Sequence, residues 1–143
     1  MVNVKVSAFK AEAVTPETLD GFVEGGGYVS IEAEHFTNNN PQGDRKWITI
    51  EDYGHTLSAM RANALVDSPP ASPGKDSPCL EYKMYLFTSG NIEINSIFSP
   101  TLNFMPGRDL QYAISFDDQP AQIITLVPRN YNAQNRNTDW EKS

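Results

Sequence analysis

Residues 110–127 read LQYAISFDDQPAQIITLV, and this stretch decides the fold class. Leu110, Tyr112, Ile114 and Phe116 alternate with Gln111, Ala113 and Ser115. A period of two places the first set on one face of a β-strand and the second on the other. Asp117-Asp118-Gln119-Pro120 follows with residue types that turn a chain. Ala121–Val127 is then rich in Ile, Thr and Val, residues that fit a pleated surface. Two such runs around a short polar turn predict a β-hairpin.

The same grammar extends outward. Cys79–Thr88 and Ile92–Phe98 predict two more strands, joined as a hairpin at Ser89-Gly90-Asn91. Ser99–Asp109 reads as a loop, and Asp67–Pro78, with four of the ten prolines, as another. Trp47–Glu51 predicts a short strand turned by Asp52-Tyr53-Gly54, and Leu57–Val66 one or two short strands. Gly25-Gly26-Gly27 is a break. Tyr28–Phe36 after it predicts a strand with Val29, Ile31 and Ala33 on one face and Ser30, Glu32 and Glu34 on the other. Asn38–Asp44 reads as an exposed loop. Residues 1–20 read as a linker or edge segment, with Thr15 placed to cap a helical turn, and Pro128–Ser143 as a polar tail. About seven short strands with almost no helical periodicity predict an all-β chain, an antiparallel β-sandwich or jelly roll.

Composition narrows the function classes. A chain of 143 residues fits one domain with a core of its own. A net charge of −7, a pI near 4.7 and scattered basic residues argue against nucleic-acid and anionic-membrane partners. A single cysteine, Cys79, excludes an internal disulfide framework and reads as a small strand residue. No apolar stretch is long enough for a transmembrane helix, and Met1 is not followed by the apolar core of a signal peptide. His35 and His55 lack zinc-ligand spacing, and no serine lies in a nucleophile elbow. The glycine run precedes a strand, whereas a phosphate cradle opens a helix.

Two sets of residues remain as candidates. Glu32 and Glu34 stand at i and i+2, with Cα atoms roughly 7 Å apart on one strand face. Such a pair suits a structural calcium ion, and it equally suits a solvated strand face. A glycosidase acid–base pair is the weakest reading, because catalytic carboxylates flank a cleft from different elements. The second set is aromatic. Trp47, Tyr53, Tyr131 and Trp140 lie in or beside polar loops, with Asn130 and Asn132 flanking Tyr131. Rings with neighbouring amides hold sugars by their apolar C–H faces; the alternative is that each ring caps the core. Tyr82, Tyr112, Phe98 and Phe116 fall in strand alternation and read as core.

Five motifs in order also carry a resemblance: GYVSIEAEHF at 27–36, LEYKMYLF at 80–87, FSPTLNF at 98–104, YAISFDD at 112–118 and DWEK at 139–142. Together they resemble the C-terminal domain of glycoside hydrolase family 115, the xylan α-1,2-glucuronidases, over about residues 20–142. The resemblance implies a β-sandwich at 21–143 similar to carbohydrate-binding module families 6 and 35, where a Glu-x-Glu strand helps ligate calcium. It implies a non-catalytic accessory domain of an exported enzyme, secreted or periplasmic, with the catalytic residues in upstream domains. Plant cell-wall polysaccharide of the xylan type is the expected ligand. The alternative is a structural or oligomerisation domain packing on the catalytic body. The family pattern continues beyond Asp-Trp-Glu-Lys, whereas this sequence stops at Ser143. A sandwich short of its last strands has an unpaired edge, from which either a homodimer by strand exchange or a rearranged edge is expected.

Overall fold

The computed structural model describes residues 3–6, 19–63, 65, 68–101 and 107–131. These residues are all-β: they form ten short strands and no helix. The strands are β1 (Asn3–Val6), β2 (Phe22–Val23), β3 (Asn38–Asn40), β4 (Lys46–Ile50), β5 (Ala59–Asn63), β6 (Cys79–Glu81), β7 (Met84–Tyr85), β8 (Gly90–Glu93), β9 (Leu110–Ile114) and β10 (Gln122–Val127). They pair two by two into five small sheets, four antiparallel and one parallel, as a β-sandwich accommodates.

The chain divides into two compact units. The first comprises 1–70 and 77–95, and the second 71–76 and 96–143.

In the first unit, β4 and β5 form a local hairpin registered from Lys46↔Asn63 to Ile50↔Ala59. The other three pairs join distant segments. β1 runs antiparallel to β8, β2 parallel to β7, and β3 antiparallel to β6. β4 also lies against β3 and β6.

Three expectations for this unit are corrected. The hairpin expected at Ser89-Gly90-Asn91 does not form, because β6, β7 and β8 each take a different partner. The Glu24 carboxylate accepts from the Phe87 and Thr88 amides at 2.6 and 2.9 Å and from the Thr88 hydroxyl at 2.6 Å. Those three bonds turn the chain between β7 and β8 and hold the Glu24 carboxyl below its ordinary range.

Asn38–Asn40, expected within a loop, is β3. Asparagine is a poor strand former, but here Asn38 and Asn40 donate their side-chain amides to Glu81 at 2.8 and 2.6 Å. These cross-strand bonds offset the weak propensity.

Tyr28–Phe36 is not a strand. Beyond the Gly25↔Tyr28 bridge the segment is irregular, and the His35 amide donates to the Glu32 carbonyl at 3.0 Å to close a turn. The expected face therefore breaks: Ala33 is exposed, while Glu32 and Glu34 are half-buried.

In the second unit, β9 and β10 form the expected hairpin, from Gln122↔Ile114 to Val127↔Leu110, with a bulge between Thr125 and Val127. The Gln119 amide donates to the Phe116 carbonyl at 2.9 Å to close the turn, and Asp117 adopts φ 45° there. Aspartate tolerates that left-handed conformation. Leu110, Tyr112, Ile114 and Phe116 are all half-buried and Gln111 and Ser115 exposed, as alternation requires, but Ala113, expected to face out, is half-buried close to Gly74. Among the described residues only Val127, 7% exposed, is buried; its side chain contributes up to about 1.5–3 kcal/mol by burial. Phe98, expected in the core, is 42% exposed, yet its ring stacks tilted on Tyr112 with centroids 4.8 Å apart.

Candidate functional site

Glu32 and Glu34 sit on the turn closed by His35, and both carboxylates reach the loop that follows β4. The Thr56 hydroxyl donates to Glu32 Oε1, and the Ser58 amide donates to Glu34 Oε2 at 3.1 Å. Glu34 Oε1 faces His35 Nε2 at 3.6 Å. The turn is held from behind by the Tyr82 hydroxyl, which donates to the Ala33 carbonyl at 2.7 Å. Burial raises the Tyr82 pKa, which keeps that hydroxyl a donor.

The loop donating these bonds carries Tyr53, which is 55% exposed. The Gly54 amide donates to the Leu57 carbonyl at 2.9 Å and closes the loop on itself. A side chain at Gly54 would meet the Ser58 carbonyl oxygen at 2.6 Å and that of Leu57 at 2.8 Å, so the tight turn needs glycine.

A calcium ion takes about six to eight oxygens. Glu32 and Glu34 bring two each, and among the described residues no group of three or more His, Cys, Asp or Glu could hold a metal. The described donors alone do not complete such a site. What the two carboxylates do here is fasten one loop to another.

The aromatic candidates have different fates. Trp47 is half-buried in β4; its indole N–H donates to the Pro78 carbonyl at 3.0 Å, and its own carbonyl accepts from the Asn39 amide at 2.9 Å. With its indole N–H paired and its ring half-buried, Trp47 presents less free surface than Tyr53. Tyr53 is presented to solvent. In the second unit, Asn130 is exposed and Tyr131 half-buried on a turn closed by the Tyr131 amide, which donates to the Pro128 carbonyl at 3.0 Å. Asn132 and Trp140 lie outside the described residues.

The turn bearing Asn130 and Tyr131 is anchored by a pair that sequence reading missed. Arg129 donates its amide to Asp109 Oδ1 at 2.6 Å and its guanidinium to Oδ1 and Oδ2 at 3.3 and 3.0 Å. The Arg129 side-chain bonds, then its amide, hold the Asp109 carboxyl below the usual range. A separation of 20 residues left no local signal for this pair.

Cys79 lies on β6, as expected, but is exposed. Partial burial of its sulfur, together with the Glu81 carboxylate, pushes the thiol pKa up, opposite to the lowered pKa of a reactive thiolate.

The family profile described as Glycosyl hydrolase family 115 C-terminal domain matches residues 21–143. No curated protein and no solved structure matches the chain. The profile spans most of the chain, and the chain belongs to the family of glycosyl hydrolase family 115 C-terminal domains.

Proposed function

We propose that this member of the family is a non-catalytic accessory domain of a larger exported glycoside hydrolase, and that it holds xylan-type plant polysaccharide through its Tyr53 loop. The observation that carries the reading is an exposed aromatic ring on a loop tied down by its own hydrogen bond and by two carboxylates. An aromatic fixed before the ligand arrives loses little conformational freedom on binding, which is how a small contact gains affinity. Asn130 and Tyr131, on the turn held by Asp109, are a separate candidate contact within the second unit. Removal of glucuronic acid from xylan belongs, in this reading, to catalytic domains of the parent protein.

Affinity electrophoresis in gels containing glucuronoxylan tests the proposal. The chain should be retarded, and Tyr53→Ala should lose most of the retardation. Trp47→Ala should act only through stability. Migration unaffected by any plant glycan would overturn the reading.

A second reading has an observation in its favour. In the first unit Leu65 and Tyr28 are each 70% exposed, and in the second Ile97 is 80% exposed, so each unit has apolar side chains available for packing on a catalytic body. That reading predicts no retardation by glycan and a lower melting temperature of the full-length enzyme once this domain is deleted.

A further inference from the structure

We infer that Glu32 and Glu34 are positioning residues: a carboxylate clamp that fixes the Tyr53–Ser58 loop in its ligand-ready conformation. The effect on binding rests on the sugar-binding reading above; the clamp itself does not.

The loop is short and begins with a ring that must be held out into solvent. Its internal closure, Gly54 to Leu57, fixes the loop's shape but not its direction. Direction comes from its far end, where Thr56 and Ser58 donate to Glu32 and Glu34, 24 residues away in sequence. The clamp has its own foundation. The Glu32–His35 turn sets the spacing of the two carboxylates, and Tyr82 holds that turn through the Ala33 carbonyl. Two acceptors on one rigid turn thus meet two donors on one loop. Glu34 is the more sheltered anchor, with its side chain 18% exposed and its partner a backbone amide, which cannot rotate away.

The clamp needs acceptor oxygens rather than negative charge, and this separates it from a calcium site. A glutamine keeps one acceptor oxygen, which can receive the Ser58 amide, but it is a poor replacement for a carboxylate calcium ligand.

Hydrogen–deuterium exchange on the intact chain tests the clamp without any ligand. Glu34→Ala should speed exchange of the Ser58 amide by about tenfold or more, while the β9–β10 hairpin exchanges as before. Glu34→Gln should keep most of the protection, whether calcium or a chelator is present. Thr56→Val, which removes only the hydroxyl donated to Glu32, should loosen the loop less than Glu34→Ala. Unchanged Ser58 exchange in Glu34→Ala would overturn the clamp. So would equal loss in Glu34→Gln and Glu34→Ala together with sensitivity to chelation, which would assign the pair to calcium.

Binding is the second readout. Glu34→Ala should weaken glucuronoxylan binding several-fold in the wild-type background and have no further effect once Tyr53→Ala is present, because both act through one loop. Additive effects would contradict positioning through Tyr53. If the unmodified chain binds no glycan, the proposed function fails, and the exchange result still decides the clamp.

Discussion

The β9–β10 hairpin and the β3–β6 pair are both antiparallel, yet they are held together by different means. In β9–β10 the strands are joined by a tight turn and put Tyr112, Ile114, Ile124 and Val127 to use in packing. In β3–β6 the partners are about 40 residues apart, and the pair rests on Asn38, Asn40 and the Glu81 carboxylate. The first is a hydrophobic, local solution. The second is a polar, long-range one whose loop closure costs more entropy and whose bonds are each worth about 1 kcal/mol in competition with water.

The comparison should break most visibly in the hairpin. Val127→Asp places an unpaired charge at the one buried site among the described residues. It should cost about 3 kcal/mol or more, read as a lower denaturant midpoint. On the polar side, Glu81→Ala removes both bonds and should cost about 1–2 kcal/mol, while speeding amide exchange in Asn38–Asn40 and leaving β9–β10 untouched. Equal costs at the two positions would erase the distinction.

Acid provides a gentler test. The Asp109 carboxyl titrates below its unfolded value because Arg129 donates to it. The stabilisation is therefore fully present above about pH 4 and is lost as pH falls through the lower folded value. Asp109→Asn should lower the melting temperature slightly at neutral pH, and the difference from wild type should close in acid. A difference that widens in acid would reverse the assigned role. Smallest of all, Ile123→Thr on the exposed face of β10, where the side chain is 58% exposed, should change stability by no more than about 0.5 kcal/mol.

These differences also explain what could be read in advance. The β9–β10 hairpin was legible because alternation, turn and partner lie within one short stretch; for β4–β5 the first strand and its turn were legible, while residues 57–66 read only as one or two short strands without a partner. The pairs β1–β8, β2–β7 and β3–β6 were not, because nothing in a strand's own residues names a partner far along the chain. Tyr28–Phe36 misled for a related reason. Its alternation is genuine, but Glu32 and Glu34 are drawn inward by donors at Thr56 and Ser58, so the pattern marked two loop anchors rather than a strand. Tyr53 was legible as a candidate from its polar neighbours, whereas the burial of Trp47 depended on Pro78, which no local pattern pairs with it.

In the proposed function, a clamped loop presents Tyr53 to polysaccharide. Titrating the isotopically labelled chain with glucuronoxylan oligosaccharides and following backbone amide shifts by NMR tests it most directly. The account predicts shifts concentrated in residues 53–58. Shifts centred on the β4–β5 hairpin with the Tyr53 loop silent, or no shifts at all, would contradict it.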